Sequence, residues 1–457
     1  MYLLISIIGI LFTILFVVGT HESAHFFMAR LLGIKVLRFS IGFGKTLWRR
    51  YDKSGTEYIF ALIPLGGYVQ MLDEKEGNVP EAERHLAFNT QPFYKKFLVV
   101  SAGPLANILC ALLLYWIIFM IGFTTIKPII GTVTPRSIAA ESGLKSQQEI
   151  THVDGYQTLT WTSVLSRILM HVGNQDNLLM QVKNPCDPKD RSCPETTQIQ
   201  RLDLSNWTLD GLTPDPLKSL GIIPYQPEIP LVIGVIQKNS PASISTLKIG
   251  DKMTAINQKK IATWEEVIQL IRNHPNETIS LTVLRDKQEL TFPIKIGSER
   301  EFFTKKGYLG IAPQYEWPKE MQQEIKYPPL TALTHAGQTM VDLSYFNLIL
   351  FGKLLIGKLS LQSLGGPIMI FQNAGDALNY GFLAFISFLA FLSVSIGIIN
   401  CLPIPGLDGG HLFFQIIELI IRRPIPDNIL LFFYRLGFFL IIFMLIQAII
   451  NDLLRLY

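Results

Sequence analysis

Residues 19–25 read Gly-Thr-His-Glu-Ser-Ala-His and lie at the end of an almost wholly apolar segment that begins at residue 2. A helix turns by about 100° per residue, so His21 and His25 share one face and both imidazoles can reach one metal ion. Glu22 places beside them a carboxylate that can take a proton from an attacking water molecule. The spacing therefore predicts a metal site at the end of a hydrophobic helix.

The same pattern also occurs by chance in many proteins, and a solvated helix end is the alternative interpretation. Ionisable groups at membrane depth cost roughly several kcal/mol each when they are buried without partners. An apolar helix that nevertheless carries two histidines and a glutamate favours a functional site.

The composition of the 457-residue chain is that of a membrane protein with soluble portions. Hydrophobic residues make up 49% and charged residues only 17%, whereas soluble domains carry about 25% charged residues. The net charge of +4 is small for this length, and basic residues form no stripe along the chain. Nucleic acid is therefore not expected as a partner.

Four segments have the roughly 20 apolar residues that a helix needs to cross a bilayer. The first could be a signal peptide, but it has neither a basic start nor a small-residue cleavage pattern, so a retained span is predicted. The loop after the first span is rich in Lys and Arg, which places it in the cytoplasm and residues 123–377 on the outer side. The predicted spans are 2–28, 97–122, 378–400 and 429–450.

The outer region contains an internal repeat, because residues 130–161 match residues 233–264 without a gap and align Ser137 with Ser240. Each copy predicts a strand, a short helix, a strand pair and an amphipathic helix, which resembles a PDZ domain; the second copy fits better. PDZ domains bind extended peptides by strand addition, and a steric gate without peptide binding is the alternative. The predicted α+β domains span 127–222 and 227–312.

Two of the four cysteines, Cys186 and Cys193, share a polar, Pro-rich loop in the first repeat. In an oxidising compartment they would form a local disulfide, and two free thiols are the alternative. After the repeats, residues 327–377 predict helices at the membrane interface, with Lys353 and Lys358 snorkelling from an apolar surface. An ordinary buried helix pair is the alternative there.

A catalytic zinc site needs a third protein ligand and keeps a fourth position for water. Asp408 follows the third span directly, in a stretch where prolines and glycines break the helix. The predicted topology brings this stretch to the same membrane face as His21 and His25, so Asp408 is the favoured third ligand. His411 is a rival ligand three residues later. The remaining candidates by chemistry are Glu57, Asp73 and His85.

Residues 57–72 predict an apolar β-hairpin with a Pro-Gly-Gly turn. Such a hairpin would expose hydrophobic side chains in the cytosol, so we expect it to dip into the membrane towards the metal site. A substrate helix must unwind before cleavage, and an edge strand around Ile59, Phe60, Ala61 and Leu62 would recapture its freed backbone groups. Proline at Ile59 should then abolish cleavage without loss of the metal. Gly42 and Gly44 would allow another close backbone approach, with a plain turn as the alternative.

The HESAH motif, the PDZ-like repeats and an N-x-x-P-x-x-x-L-D-G pattern together resemble the site-2 protease family, most closely its bacterial members with two PDZ domains. The resemblance covers essentially the whole chain. It implies one Zn²⁺ per chain, bound by His21, His25 and Asp408, with Glu22 as the general base. It further implies that Asn400 and Pro403 contact the substrate, and that a membrane-reentrant β-element pairs with it. The pattern comprises Asn400, Pro403, Leu407, Asp408 and Gly409.

The fold expected from these features is a four-span α-helical membrane protein with a reentrant β-hairpin and two tandem PDZ-like domains. By resemblance, it is a monomer in the bacterial inner membrane with its PDZ domains in the periplasm. Its expected substrates are single-span membrane proteins, such as an anti-sigma factor after prior trimming and remnant signal peptides, in envelope stress signalling. The expected parts are 1–122, 127–222, 227–312, 327–377 and 378–457.

Three rival functions make different demands on the sequence. A membrane metalloprotease completed by a downstream glutamate leaves the position of Asp408 unexplained. A catalytically inactive receptor with two PDZ domains has no need of Glu22, because a structural metal site needs no base. A metal transporter should carry polar residues through several spans, whereas here they cluster at one depth.

Overall fold

A computed structural model describes residues 2–75, 77, 79–184, 196–209, 215–301 and 304–455. The helices in these ranges are α1 Tyr2–Leu31, α2 Phe93–Ile121, α3 Ile138–Glu141, α4 Trp161–Leu169, α5 Pro216–Leu220, α6 Trp264–Arg272, α7 Pro329–Leu355, α8 Pro367–Tyr380, α9 Phe382–Cys401, α10 Asp408–Ile421 and α11 Asp427–Arg455. The strands are β1 Val36–Tyr51, β2 Glu57–Met71, β3 Phe123–Ile126, β4 Ile130–Val133, β5 Glu149–Val153, β6 Tyr156–Gln157, β7 Asn177–Lys183, β8 Thr197–Asp203, β9 Ile222–Pro224, β10 Ile233–Ile236, β11 Lys252–Ile256, β12 Lys259–Lys260, β13 Thr278–Arg285, β14 Gln288–Lys295, β15 Gly297–Glu301, β16 Thr304–Tyr308, β17 Ile311–Pro313 and β18 Gln322–Ile325.

Four helices in the described ranges are long and apolar enough to cross a membrane, and they coincide with the four predicted segments. They are α1 from Leu4, α2, α9 and α11. Helix α2 packs against α1, α7 and α9 and is therefore the centre of the helical part. Between 6% and 44% of each span is buried against protein, so much of their apolar surface is left for lipid. These features fit a multi-pass membrane protein.

The hairpin of β1 and β2 is more elaborate than predicted, because each strand folds back on itself. The segments lie across the sheet in the order 67–71, 36–41, 57–60 and 48–51, and each pairs with the next. The bend in β1 contains Gly42 with φ 92°, and a Cβ there would lie 2.9 Å from the carbonyl oxygen of Ile63. Glycine is required at this position for both its backbone conformation and its lack of a side chain.

This pairing corrects the expected location of the edge strand. Ile59 pairs with Ser40 on one side and with Arg49 on the other, and Phe60 is likewise flanked on both sides. Residues 57–60 are therefore interior to the sheet and cannot accept a further strand. The open edges within the described residues are 66–71 and the arm around residues 46–51.

The two sequence repeats have the same strand order. The first consists of a sheet β6-β5-β7-β8 and a pair β4-β9, and the second of a sheet β12-β11-β13-β14 and a pair β10-β17. The amphipathic helices α4 and α6 begin at equivalent caps, since Thr160 accepts a hydrogen bond from the backbone N–H of Ser163, and Thr263 from that of Glu266. The second repeat lies within residues 225–322, which form a compact unit of their own.

The two serines that align in the sequence repeats make an equivalent contact, each within its own repeat. Gly221 and Gly310 precede the last strand of each repeat with left-handed φ angles of 88° and 80°. A Cβ at Gly221 would lie 2.1 Å from Oγ of Ser137, and a Cβ at Gly310 would lie 2.2 Å from Cβ of Ser240. Each serine therefore packs where only a glycine leaves space.

His171 lies between two carboxylates in the first repeat. Its Nε2 is 2.6 Å from Asp154 Oδ2 and its Nδ1 is 2.9 Å from Asp176 Oδ1. Burial lowers the pKa of His171, but the hydrogen bonds and charges of the two aspartates outweigh burial and raise the pKa above 6.5. A raised pKa in the folded state means that the stabilisation is complete below the unfolded pKa and disappears as the pH rises through the folded pKa.

We therefore expect amide-exchange protection factors of β5 and β7 in the full-length protein to fall as the pH rises above 6.5. Asp154→Asn should weaken this dependence, because it removes the carboxylate bonded to Nε2. His152→Gln is the matched control, since among the described residues the His152 ring bonds only to the neighbouring Thr151 hydroxyl. Protection that does not change with pH in the wild type would contradict the expectation.

Helix α7 is held against the first repeat by polar contacts. Lys353 is only 6% exposed, and its ammonium donates to the Val172 carbonyl at 2.5 Å and to Asn174 Oδ1 at 3.0 Å. The expectation that Lys353 snorkels to the surface is therefore wrong. A second contact joins the Arg167 guanidinium to Asp342 of α7 at 2.6 Å.

A buried carboxylate near the end of the last span bonds to the start of helix α8. Asp452, 3% exposed near the end of α11, accepts hydrogen bonds from the backbone N–H groups of Gly366, Ile368 and Met369 at 2.9 to 3.1 Å. Gly366 is the N-cap of α8, and Ile368 and Met369 lie in its first turn, so these N–H groups have no partner within that helix. The negative charge also complements the positive end of the helix dipole.

Candidate metal centre

His21, His25 and Asp408 converge although more than 380 positions separate the histidines from the aspartate. His21 Nε2 lies 3.0 Å from Asp408 Oδ2, His25 Nε2 lies 3.3 Å from the same oxygen, and the two Nε2 atoms are 3.2 Å apart. Both histidines are buried, at 9% and 7% exposure. Among the described residues, this is the group of His, Cys, Asp and Glu side chains whose donor atoms could hold a metal ion.

The spacing of these three atoms fits zinc. Zn–N and Zn–O bonds of about 2.0–2.2 Å in a tetrahedron place neighbouring ligand atoms about 3.3–3.6 Å apart, close to the distances of 3.0 to 3.3 Å in the structure. Asp408 Oδ2 is buried and makes no hydrogen bond of acceptable geometry to any described residue. Two imidazoles and a carboxylate are also a common donor set for catalytic zinc, with room for a fourth ligand.

The loop before α10 fixes Asp408 through two close backbone approaches. Asp408 is the first residue of α10. A Cβ at Gly409 would lie 2.2 Å from the carbonyl oxygen of Leu402, and a Cβ at Gly410 would lie 2.3 Å from that of Ile404. The two glycines therefore let the loop fold tightly onto the start of the helix, which holds the carboxylate at one depth.

The face of α2 that meets the histidines leaves space for them at Gly103. A Cβ at this position would lie 2.2 Å from His25 Nε2 and 2.8 Å from His21 Cε1. Helix α2 begins ten residues before Gly103 and contains Pro104 in its interior. The only sequence signal for this role is a glycine in an apolar helix, which does not reveal what approaches it.

Glu22 lies beside the metal-binding group and against the edge of the β-sheet. Its side chain is 9% exposed. A Cβ at Gly67 of β2 would lie 2.8 Å from Glu22 Cγ and 2.6 Å from the carbonyl oxygen of Ser40. Gly67 therefore allows residues 66–71 to approach Glu22 closely, a function that sequence reasoning did not find.

The other predicted residues are not among the three converging donor atoms. Asn400 is half-buried at the end of α9, and no hydrogen bond joins its side chain to the described residues. Pro403 is exposed in the loop before α10. Gly44, with φ 85°, lies near the bend of β1. Ala61 is half-buried and Leu62 is exposed in β2, whereas Cys186 and Cys193 lie outside the described residues.

The rival ligands have other partners. Tyr434 of α11 shares a hydrogen bond of 3.0 Å with His411 Nδ1. Glu57 accepts a hydrogen bond from Arg38 at 2.7 Å, and Asp73 accepts one from the backbone N–H of Lys75. The structure does not bring His85 or any of these groups into the cluster.

Apolar spans and a zinc-compatible site with an adjacent glutamate define a membrane-embedded metalloprotease. The family model for peptidase family M50 matches residues 9–444. The chain is 38% identical to "Protease RseP" of Yersinia pestis, over 98% of this chain and 97% of that protein. It is 36% identical to "Regulator of sigma-E protease RseP" of Escherichia coli (strain K12), with the same coverage. It is also 38% identical to a "Putative zinc metalloprotease" of Vibrio cholerae, over 96% of each chain.

This chain therefore belongs to peptidase family M50. It is a multi-pass membrane zinc metalloprotease, which confirms the family, the enzyme class and the cofactor expected from the sequence.

Proposed function

We propose that the chain cleaves single-span membrane proteins at the membrane, with zinc held by His21, His25 and Asp408 and with Glu22 as the general base. The observation that carries this proposal is the convergence of the three donor atoms within 3.0 to 3.3 Å of one another at one end of an apolar span. Relatives named as regulators of sigma-E protease support a role in envelope stress signalling. An anti-sigma factor trimmed beforehand and remnant signal peptides are the proposed substrates.

The chemistry divides between the ion and the protein. Zinc, when bound, supplies Lewis-acid polarisation and lowers the pKa of water to about 7. Glu22 takes the proton of the attacking water and passes it to the leaving amine, so hydrolysis needs no covalent intermediate. Burial of Glu22 beside two imidazoles and a carboxylate keeps bulk water from competing for that proton.

The free edge at residues 66–71 is the proposed site of substrate pairing. A helical substrate hides its carbonyls in its own hydrogen bonds and must unwind locally before attack. The edge passes Glu22 at Gly67, so a strand added there would run beside the general base. Asn400, which has no hydrogen bond to a described residue, would hold the substrate backbone, with Pro403 beside it. The sheet would then be the membrane-reentrant element, and Gly42 and Gly44 would shape its bend.

Val69→Pro is expected to reduce cleavage strongly while the protein keeps its zinc. Leu72 donates its N–H to the Lys35 carbonyl, and alternation along the strand therefore turns the Val69 N–H away from β1. Proline removes that outward donor and is tolerated on an edge strand. Cleavage rates and zinc content of the purified protein measure both effects. Val69→Ala keeps the N–H and should cleave near the normal rate; normal cleavage by Val69→Pro would exclude pairing at this position.

The two repeats are proposed to be PDZ-like domains on the periplasmic side of the bacterial inner membrane. Their equal strand order and the matched Ser137–Gly221 and Ser240–Gly310 contacts support a common fold. They would exclude untrimmed substrates by size or read a new C-terminus. The basic loop after α1 would then be cytoplasmic, and the protein would act as a monomer.

The test of this function uses the purified full-length protein and a model single-span substrate in detergent or vesicles. Cleavage is expected to stop with a zinc chelator and to return on addition of Zn²⁺. A protein that cleaves equally well after complete removal of zinc would contradict the proposal. A soluble peptide without a hydrophobic segment serves as the comparison substrate and should be cleaved more slowly.

A further inference from the structure

The face of α2 that packs on α1 carries three residues spaced four apart, which is also the spacing of the two histidines. Val99 accepts a hydrogen bond from His25 Nδ1 at 2.7 Å through its carbonyl oxygen. Gly103 makes room for both imidazoles, and the side-chain amide of Asn107 lies 3.3 Å from His21 Nδ1. Each imidazole therefore meets one polar group of α2 at the nitrogen that faces away from Asp408.

The partner at Nδ1 decides which nitrogen can bind an ion. A neutral imidazole carries one proton, and the nitrogen without it has the lone pair that a metal needs. A carbonyl oxygen can only accept, so His25 carries its proton on Nδ1 and presents the lone pair of Nε2 to the site. An acceptor at its Nδ1–H would favour the tautomer in which His21 presents Nε2 in the same way.

The orientation of the Asn107 amide decides whether it is that acceptor. The nitrogen and oxygen of an amide have nearly the same shape, and the hydrogen bonds assign them. With Nδ2 towards His21, a donor faces Nδ1, while the buried Oδ1 has no hydrogen-bond partner among the described residues. Rotating the amide by half a turn places Oδ1 at His21 Nδ1 and leaves Nε2 with its lone pair. The residue is fully buried, so water does not replace either bond.

We propose that Asn107 is a positioning residue that accepts the His21 Nδ1–H through its amide oxygen and so fixes the metal-binding tautomer of His21. The inference rests on the proposed metal centre. Loss of a group that hydrogen-bonds to a metal-binding histidine typically weakens metal affinity by about 10- to 100-fold. The role is distinct from those of Glu22 and Asp408, because Asn107 acts through His21.

Competition with a zinc chelator measures the affinity of the purified full-length protein. Asn107→Leu, which keeps the approximate volume but has no acceptor, should bind zinc about 10- to 100-fold more weakly. Asn107→Asp keeps an acceptor oxygen and should remain close to the wild type. Ser101→Ala is the matched control on α2, since the Ser101 hydroxyl bonds to the Phe97 and Leu98 carbonyls of its own helix.

If Asn107 only filled space, the order of zinc affinities would be reversed, because leucine suits an apolar site and a buried carboxylate does not. Zinc affinity of Asn107→Leu equal to that of the wild type would overturn the proposal. Thermal unfolding of the zinc-free proteins checks that each variant folds; if the leucine variant does not, Asn107→Ala gives the same comparison. Asp408→Ala distinguishes failure of the metal centre from failure of the role of Asn107. If Asp408→Ala still binds zinc, the proposed metal centre is wrong. If Asp408→Ala loses zinc but Asn107→Leu keeps full affinity, only the role of Asn107 is wrong.

Discussion

Asp408→Ala is expected to remove zinc from the purified protein and to abolish cleavage. Asp408 supplies the one carboxylate oxygen in the cluster, 3.0 and 3.3 Å from the two Nε2 atoms. Two histidines alone leave the ion with too few protein ligands for a catalytic site. Zinc affinity should fall by more than the factor of about 10 to 100 expected when a hydrogen-bond partner of a metal ligand is lost. Zinc per chain, measured after dialysis, and cleavage of a single-span substrate are the two readouts.

The matched control is Asp427→Ala. Asp427 is also the first residue of a helix, α11, but its carboxylate pairs with Lys75 at the surface. Its replacement should leave zinc and cleavage close to the wild type. If Asp408→Ala kept both its zinc and its activity, the ligand set would be wrong.

Glu22→Gln is expected to keep zinc and to slow cleavage by about 10²- to 10⁴-fold, the usual contribution of a positioned general base. Glutamine has the same shape but cannot accept the proton of water. The side chain lies against Gly67 rather than among the three converging donor atoms. Single-turnover cleavage and zinc content of the same preparation separate the loss of a base from the loss of the metal.

Glu265→Gln controls for the loss of one negative charge, because Glu265 is exposed on α6 in the second repeat. It should cleave at the wild-type rate. Unchanged cleavage by Glu22→Gln would exclude Glu22 as the base, and loss of zinc from this variant would make Glu22 a ligand instead. The pair Asp408→Ala and Glu22→Gln thus distinguishes metal binding from proton transfer.

Features with a local cause were predictable from the sequence. The four apolar helices follow from runs of hydrophobic residues, and the shared face of His21 and His25 follows from helix geometry. Asp408 could be selected as a third-ligand candidate because charge and hydropathy put the His21–His25 end of the first span and the stretch after the third span at one membrane face. The equal strand order of the repeats matches a gapless alignment of two segments.

Features that depend on long-range packing were not predictable. The register of β1 and β2 determines that Ile59 is interior and that residues 66–71 form an edge. Gly67 and Gly103 matter because of what approaches them, namely Glu22 in one case and the imidazoles in the other. Lys353 was expected at a surface because its helix is apolar, but the first repeat supplies buried acceptors for its ammonium.

The most direct measurement is the position of the metal in crystals of the zinc-loaded protein, from anomalous diffraction at the zinc absorption edge. The expected map has one strong peak about 2.0–2.2 Å from His21 Nε2, His25 Nε2 and a carboxylate oxygen of Asp408, with Glu22 close by but not bound. A peak held by His411 or Glu22 in place of Asp408, or one remote from the α1 histidines, would contradict the proposed centre.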